Sequence, residues 1–344
     1  MVSRRRAMFR GSDGTYRGDP SGPLRRARAR GDIGLWAWGR GDYPGEPLSD
    51  GDFPGLLSTG LWEVEADQDW GLDWHLNEGV EVTFVTRGRV MFGTEREEHE
   101  LNRSWLSITR PWQRHRLGDP NVTACTLGWF VLSVEALRPN QRWKWPEWLP
   151  LPESDIRRFT EHLRGQERSV WPASADLVRS FERLEQTMRE RQRHTLPRLA
   201  IGITDVLLGI ADLLEGDDQD FDPYFSSTER TVELFLDGLR SRLSEPWTVD
   251  SMSAACGLGR TRFIHYCRQV VSAAPADYLN GLRLDRTLEL LVSTDLSVAD
   301  IAYQCGFSSS QYLATMFKEQ FGRTPTEART QGRAATAAFP PALA

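Results

Sequence analysis

The sequence of 344 residues predicts an α+β multidomain protein with a β-barrel in its N-terminal half, a helical connector, and a C-terminal all-α domain with two helix-turn-helix units. Two observations carry this prediction. Residues 31–133 contain short runs of branched and aromatic residues between polar turns, which is typical of sandwiches and barrels. Residues 245–329 contain nearly the same helical pattern twice, which indicates a repeated structural unit.

The β-rich half is predicted from four segments whose composition favours strands. Polar turns are expected to separate these segments, the first of them between residues 86 and 89, and Gly88 is expected to precede a hairpin. The predicted strands cover residues 80–86, 89–92, 105–109 and 123–134.

The C-terminal repeat runs first from Val249 to Gly257 and again from Val298 to Gly306, at an offset of 49 residues. In each copy apolar residues recur at helical spacing, and the glycine stands where a helix can end in a left-handed residue. A second apolar stripe follows each glycine. This is the helix-turn-helix pattern, whose second helix can enter a DNA major groove. The alternative is an all-α interaction bundle, because each unit is first of all a small helical core.

A long helix is predicted between the two copies. Residues 276–294 contain no proline and only one glycine, Gly281, with leucines at helical spacing. Such a helix holds the two units at a fixed separation.

The second copy also carries a family resemblance. It reads Ile301-Ala-Tyr-Gln-Cys-Gly-Phe307 and then Phe317-Lys-Glu-Gln-Phe-Gly-Arg-Thr-Pro325, and the segment 278–286 resembles a connecting helix of the same family. On these motifs, residues 228–330 resemble the DNA-binding domain of AraC/XylS-type transcriptional regulators. The resemblance implies a unit whose two recognition helices enter successive major-groove faces on one side of double-stranded DNA.

Base-reading and phosphate-binding positions follow from this resemblance. Residues 259–272 hold four basic residues and no acid, so this helix is expected to gain phosphate contacts. Glutamine can pair with adenine through two hydrogen bonds, and serine and threonine can bond to several bases. The implied base contacts are Thr261, Ile264, His265, Ser310, Gln311, Ala314 and Thr315, and the implied phosphate contacts are Arg260, Arg268, Ser309 and Lys318. Arg262 is a further expected DNA contact.

The sequence departs from the family pattern at three positions. His265 and Thr315 stand where the family often has arginine, and Ser272 replaces a common glycine at the end of the first unit. We therefore expect an operator of different sequence, read as two blocks roughly 10 bp apart.

The N-terminal half carries a second resemblance. His75, Glu81 and Gly88, followed by Pro111-Trp-Gln-Arg-His115, resemble the two half-motifs of a cupin barrel. AraC/XylS-type regulators commonly carry a cupin-like sensor in front of their helix-turn-helix pair. The resemblance implies a small-molecule-binding domain in this half of the chain.

Aromatic residues favour a ligand pocket in the same region, because twelve of the thirteen tryptophans precede residue 172. The alternative is that most of them belong to the barrel core or an interface. The effector expected of such a pocket is a saccharide or another small polar molecule. Its candidate contacts are Trp74, His75, Glu81, Arg110, Trp112 and His115.

A metal centre is not expected. A metal-binding cupin would show two histidines spaced one apart, a carboxylate and a third histidine, but position 77 is Asn77. His75, Glu81 and His115 can bind a divalent ion in principle, yet we expect them to line the barrel mouth or hold turns. We accordingly expect no cofactor and no catalytic residues.

The composition indicates where the protein is expected to act and which partners it is expected to have. The net charge of −6 and the pI of about 5.7 give no hint of nucleic acid. Four cysteines without a CxxC pair favour a reducing cytoplasm over disulfides or a zinc site. No apolar run approaches a membrane span or follows the N-terminal arginines as in a signal peptide, so we expect a cytoplasmic protein without a membrane partner.

Two helices, over residues 175–191 and 196–214, are predicted from heptad-like apolar spacing. The second offers a homodimer interface or an intramolecular clamp, or else packs on its own barrel. Nine arginines in the first 30 residues predict a disordered start. The expected organisation is a basic tail over 1–30, a sensor over 31–137, a strap and helical linker over 138–222, the DNA-binding domain over 223–332, and a disordered tail over 333–344.

Three functional hypotheses follow. The leading one is an effector-responsive transcriptional regulator that binds DNA and can contact RNA polymerase. The second is a metal-dependent cupin enzyme with a helical appendage, which would need about one ion per chain. The third is a regulator that acts through protein contacts without any ligand, which would show no thermal stabilisation by small molecules.

Overall fold

The computed structural model describes residues 22–41, 43–49, 51–136, 138–165, 168–215 and 227–338. These residues form two compact units, which divide between Arg230 and Thr231. The first unit contains every strand in the described ranges, and the second is helical. The predicted order of a sheet-rich N-terminal region and a helical C-terminal domain is therefore confirmed.

The first unit is a ten-stranded sheet accompanied by four helices. Its strands are β1 (Gly34–Gly39), β2 (Glu46–Pro47), β3 (Leu56–Val64), β4 (Leu72–His75), β5 (Gly79–Thr94), β6 (Glu98–Asn102), β7 (Trp105–Thr109), β8 (His115–Leu117), β9 (Cys125–Ser133) and β10 (Val170–Pro172). Its helices are α1 (Gly22–Arg30), α2 (Glu153–Gly165), α3 (Ala175–Glu190) and α4 (Thr195–Glu215).

Strand β5 organises the sheet because it pairs with four other strands. Its first half lies antiparallel between β7 and β9, so that Glu81 faces Thr109 on one side and Val131 on the other. Its second half pairs antiparallel with β6 and β8. Strand β4 pairs with β8, where His75 faces His115. Glu81 therefore lies on the strand that pairs with the strand of His115.

The prediction of a polar turn between residues 86 and 89 is wrong, because β5 runs through this position as one strand. The pairing of β5 with β9 instead shifts register between Val85 and Arg87, as at a β-bulge. Gly88 has a φ of +75°, and a Cβ there would overlap the carbonyl oxygen of Ala124. A glycine is thus required by the close approach of β9.

Residues assigned to a linker belong to the first unit. Phe181 of α3 stacks on Phe84 of β5 with ring centroids 4.3 Å apart. Helix α4 packs closely on α3, where Gly202 and Gly209 leave room for leucine side chains. The predicted apolar positions of α4 face inward and are buried: Leu199, Ile203, Val206, Leu207, Ile210 and Leu214.

The expectation of disorder through residue 30 is also corrected. Residues 22–30 form α1, and Leu24 and Ala27 of this helix are buried in the core of the first unit. The arginines dominate the composition, but two apolar residues three apart are enough to anchor one face of a short helix. Residues 1–21 lie outside the described ranges.

The second unit contains two helix pairs on either side of a long helix. The elements of this unit are α5 (Thr228–Gly238), a 3-10 turn (Leu239–Arg242), α6 (Val249–Ala255), α7 (Arg260–Val271), α8 (Pro275–Ser293), α9 (Val298–Gln304), α10 (Ser310–Phe321) and α11 (Pro325–Ala338). Helix α11 extends beyond residue 333, where a disordered tail was expected, because the chain there is rich in alanine, which favours a helix.

Side-chain caps fix where the helix pairs begin. Thr248 accepts from the backbone N–H of Ser251 and forms a capping box with it, and Ser297 caps α9 in a similar way. Gly257 and Gly306 follow the first helix of each pair with φ values of +65° and +81°. The left-handed turns predicted at both glycines are therefore present.

None of the helices in the described part of the chain combines the length and apolar character needed to span a membrane. All four cysteines lie in the described ranges, where they form no disulfide and are buried.

Candidate functional sites

Helix α7 presents one buried face and one polar face. Phe263 and Cys267 are buried in the unit. The positions implied as DNA contacts lie on the other face of this helix. Ile264 is half-buried there, and the exposed positions are Arg260, Thr261, Arg262, His265 and Arg268.

Helix α10 repeats this arrangement at an offset of 50 residues. Leu313 and Phe317 are buried in place of Phe263 and Cys267. The implied DNA contacts again lie outside: Ser309, Gln311, Thr315 and Lys318 are exposed, and Ser310 and Ala314 are half-buried. The two helices thus present matched surfaces, because burial of the same two positions turns the same polar positions outward.

The N-termini of the two helices differ. Ser309 accepts a hydrogen bond from the backbone N–H of Tyr312 at 3.1 Å, so α10 has a side-chain cap. Gly259 precedes α7 without a side-chain cap. The first N–H groups of α7 therefore point outward without a capping side chain, which suits an anion such as a phosphate.

Charge is distributed unevenly between the two surfaces. Arg260 forms an ion pair with both carboxylate oxygens of Asp250 on α6, at 3.0 and 3.1 Å. The implied phosphate contact at Arg260 is therefore partly neutralised by the helix in front of it. On α10 the hydroxyl of Thr315 donates to the carbonyl of Gln311 at 3.1 Å, so this exposed side chain is uncharged and bonded within its own helix.

A buried arginine ties the second pair to the rest of the unit, and no sequence motif singled it out. Arg283 of α8 donates to the carbonyls of Leu243 and Glu245 at 3.0 and 2.8 Å. A Cβ on Gly306 would overlap the Leu243 carbonyl and crowd the Arg283 guanidinium. The turn glycine is therefore needed for space as well as for conformation.

A second candidate site lies in the first unit, where β4, β5 and β8 bring His75, Glu81 and His115 together. One ligand atom from each residue lies within 4.8 Å of the others. The two imidazole rings are 4.1 Å apart between centroids. The sequence predicted these three residues as a set, and the strand pairing provides the reason for their proximity.

Hydrogen bonds fix the orientation of both rings. Nδ1 of His75 lies 2.7 Å from the carbonyl oxygen of Asp73, and Nδ1 of His115 lies 2.8 Å from that of Gln113. A carbonyl only accepts, so each Nδ1 carries the proton. Each Nε2 is then left to face the centre of the cluster.

Glu81 is held by two neighbours. Its Oε2 accepts from the amide of Asn77 at 2.6 Å and lies 2.9 Å from Nε2 of His115. Burial raises the pKa of the Glu81 carboxyl, but the hydrogen bond and charge of His115 outweigh burial and leave the pKa below its usual value. Burial also lowers the pKa of His75 to about 3, so this imidazole is neutral.

The cluster borders a cavity of about 40 Å³ that is mostly apolar. Its other walls include Leu24 from α1 and two tryptophans, Trp62 and Trp129. Asn77 and Thr83 also line it, and sequence reasoning missed both, although alternation along β5 places Thr83 on the same face as Glu81.

The remaining three residues of the predicted pocket set lie outside this cavity. Trp74 precedes His75 on β4, and successive strand residues face opposite sides. Its ring packs under the guanidinium groups of Arg114 and Arg116 instead. Trp112 is buried in the turn before β8, where its backbone N–H donates to the carbonyl of Asn77 at 2.9 Å, and Arg110 is half-buried beside it.

Known proteins resemble the C-terminal part of the chain. Residues 252–331 match a family model described as a helix-turn-helix domain. A chain from Enterobacter sp. strain 638, the HTH-type transcriptional activator RhaS, is 29% identical over 188 residues, which cover 54% of this chain and 63% of the relative. The RhaS activator of Escherichia fergusonii is 30% identical with the same coverage.

Among solved structures, an AraC-type DNA-binding transcriptional regulator from Chromobacterium violaceum shares 28% identity, with a TM-score of 0.27, over 31% of this chain and 91% of that one. The chain spans 63% of the length of the two RhaS relatives. The family model and the RhaS matches confirm the resemblance to AraC/XylS-type regulators. The cupin-like character of the first unit stays a prediction.

Proposed function

We propose that this AraC/XylS-type chain is a sequence-specific DNA-binding transcriptional regulator that reads double-stranded DNA through two helix-turn-helix units. The observation that carries the proposal is the matched outer surface of α7 and α10. On both helices the polar positions face outward at the same offset, while the apolar positions are buried. The relatives named as transcriptional activators support the same function.

The long helix α8 sets the spacing of the two readers in this proposal. It joins the two pairs with 19 residues, from Pro275 to Ser293. At 1.5 Å per residue this helix is about 28 Å long, which is shorter than the roughly 34–36 Å of one B-DNA turn but of the same order. The two recognition helices then meet successive major-groove segments about 10 bp apart.

The first unit is proposed as the sensor, with a cupin-like fold. Its cavity beside His75 and Glu81, of about 40 Å³, holds only a few water molecules. A saccharide effector therefore requires this cavity to widen, for instance by displacement of Leu24 and α1. Without widening, the cavity has room only for a ligand of a few non-hydrogen atoms.

A homodimer is proposed through the outer face of α4. Ile201 and Leu208 are 70% and 45% exposed, and they lie seven residues apart on one stripe of this helix. Two exposed apolar residues at this spacing suit a helix–helix seam.

The charges on α4 favour an antiparallel arrangement of this helix against α4 of a second copy. Arg198 lies near the N-terminal end of the stripe and Asp212 near its C-terminal end, and both are exposed. A two-fold axis near Asp205 sets Ile201 against Leu208 of the second copy and places Arg198 level with its Asp212. Asp205 itself is paired with Arg183 at 2.6 Å, which limits repulsion at the axis.

Charge exchange on α4 tests the dimer. Arg198→Asp and Asp212→Arg should each raise the dimer dissociation constant in sedimentation equilibrium, and the double variant should restore it. A wild-type chain that stays monomeric over the concentration series, or a double variant no better than either single one, contradicts the antiparallel seam.

Selection from a randomised duplex pool tests the DNA-binding function. The purified chain is expected to recover a site with two recurring blocks about 10 bp apart. The selection is run at a salt concentration where nonspecific binding is lost, with and without candidate effectors. Recovery of unrelated sequences under all these conditions contradicts the proposal.

A further inference from the structure

Basic charge is concentrated at the start of the chain. The first 30 residues contain nine arginines and two acidic residues, a formal charge of +7, so the other residues together carry −13 of the net charge of −6. Part of this basic segment has a defined structure, because residues 22–30 form α1 and pack on the first unit. Basic arms at the start of a chain commonly bind nucleic acid.

The apolar side of α1 is occupied by its own unit. Leu24 and Ala27 are 2% and 0% exposed in the core of that unit. Arg25, Arg26 and Arg28 are exposed on the rest of the helix surface. Because the helix is fixed by its buried side, these arginines start from a defined backbone, which reduces the conformational entropy lost when a partner binds.

The arginines of α1 form two rows. At helical spacing Arg25 and Arg28 are neighbours on one side of the outer face, and Arg26 and Arg30 are neighbours on the other side. Ala29 lies between the two rows and is exposed. Like charges at these spacings repel each other, so each row costs stability in the absence of a negative partner.

Acidic side chains compensate one end of this surface. Arg30 pairs with Asp32 and with Asp69, the latter at 3.4 Å. Arg26 and Arg28 pair with no carboxylate among the residues that the structure describes. Helix α1 itself contains no acidic residue. An external anion is therefore the partner that relieves the repulsion within the rows.

The anion that suits this surface is the backbone of double-stranded DNA. Membrane-surface helices insert their apolar side into the lipid, but that side of α1 is buried in its own unit. Proteins that hold single strands stack the bases on aromatic rings, and α1 has no aromatic residue. A helix of nine residues is about 13.5 Å long, which matches roughly four phosphates of one strand at about 3.4 Å per phosphate.

We propose that the outer face of α1 binds phosphates of double-stranded DNA, with one strand lying along Ala29 between the two rows of arginine. The small side chain of Ala29 allows this approach, and the rows contact the phosphate oxygens from both sides. The contact rests on the DNA-binding function proposed above and adds affinity without reading bases. It gives the first unit a share in DNA binding, which the helix-turn-helix match over residues 252–331 does not include.

The salt dependence of DNA binding by the full-length chain tests the contact. Binding is measured by fluorescence anisotropy on a long duplex that carries the selected site and on a random duplex of equal length. Arg25→Gln/Arg26→Gln, which removes one arginine from each row, should weaken both complexes by the same factor and keep the preference for the selected site. The slope of log affinity against log salt should become shallower by about 1.8, so that raising the salt from about 50 to 200 mM weakens the wild type roughly tenfold more than the variant.

Two further double variants serve as controls. Arg142→Gln/Arg157→Gln is matched in charge, because both arginines are exposed in the first unit and pair with no carboxylate within the described ranges. It should keep the wild-type slope. Arg25→Lys/Arg26→Lys should keep the slope as well, because the positive charge remains on both rows.

Ala29→Glu separates DNA binding from folding. A carboxylate between the rows repels the phosphates and pairs with Arg25 four residues earlier. The affinity for both duplexes should therefore fall, while the melting temperature stays at or above that of the wild type. Wild-type affinity in this variant contradicts a DNA strand at Ala29.

The remaining outcomes distinguish this contact from the two readers. Equal slopes for the wild type and Arg25→Gln/Arg26→Gln, when both bind the selected site, overturn the contact and leave the two readers in place. Loss of binding to phosphatidylserine vesicles by that variant, with its DNA slope unchanged, overturns it in favour of a membrane surface. An equal loss of slope in the charge-matched control overturns it too, because net charge alone then explains the effect. A wild type that binds no duplex contradicts the proposed function together with this contact.

Discussion

At the scale of single residues, the turn glycines of the second unit differ in what they require. Gly306 and Gly322 both have positive φ, at +81° and +69°. Only Gly306 also faces a carbonyl and a buried guanidinium that a Cβ would meet, whereas Gly322 has open space. Conformation and space can therefore be separated experimentally.

Substitution of each glycine by alanine separates the cost of the backbone conformation from the cost of the missing space. Gly322→Ala should lower the free energy of unfolding by about 1 kcal/mol, from the left-handed backbone alone. Gly306→Ala should lower it by about 3 kcal/mol or more, because the Leu243 carbonyl and Arg283 must move as well. Chemical denaturation measures both, and equal losses would contradict the close approach at Gly306.

Ser272 allows the reverse test, in which a residue with a side chain at positive φ is replaced by glycine. It ends α7 with a φ of +56°, at the position that matches Gly322 after α10. Ser272→Gly should raise the free energy of unfolding by about 1 kcal/mol, because glycine adopts this conformation without a Cβ penalty. A destabilised variant in the same denaturation assay would show that the serine side chain contributes more than its backbone costs.

At the scale of the elements, the ion pair between Asp250 of α6 and Arg260 of α7 limits the positive charge available for the DNA contact proposed for α7. Asp250→Asn should release Arg260 and strengthen binding to all duplexes alike, with a steeper loss of affinity as salt rises. Asp300→Asn on α9 is the matched control, because that carboxylate accepts from the Ser297 hydroxyl instead. Binding by Asp250→Asn that equals wild type at every salt concentration would contradict a phosphate role for Arg260.

The helices of the second unit were predictable from sequence because each is specified locally. Val249 and Val298 begin the two first helices as predicted, since the spacing of apolar residues and the turn glycines act within a few residues. The passage of β5 through Gly88 was not predictable, because a bulge opposite β9 depends on pairing between distant strands.

The same distinction between local patterns and long-range pairing applies to the candidate sites. His75, Glu81 and His115 were predicted as a group, yet their contact depends on the β4–β8 pairing, which the sequence does not display. Trp74 was included among the six predicted pocket residues because aromatic side chains commonly line ligand pockets, although strand alternation turns it away from this cavity. Arg283 was missed because a buried arginine bonded to carbonyls has no local pattern.

At the scale of the whole molecule, the reactivity of the cysteine thiols measures whether the chain is folded. All four are buried, and burial raises the pKa values of the Cys125 and Cys267 thiols to about 11. The thiolate is the reactive form, so the native chain should react slowly with a disulfide reagent at pH 8 and rapidly after denaturation. Because these pKa values are raised by folding, this contribution to stability is present below the ordinary thiol pKa and is lost as pH rises toward 11. Rapid modification of native protein would contradict the burial.

The central claim is that α7 and α10 each read one block of DNA. The direct test repeats the duplex selection with His265→Ala and with Gln311→Ala, and uses Lys318→Ala as the phosphate control. Each base-reading variant should lose the sequence preference of one block only, at a cost of about 1–3 kcal/mol on the wild-type site, while Lys318→Ala weakens all duplexes and keeps both blocks. Variants that lose both blocks together, or that weaken random and selected DNA equally, would contradict two separate readers.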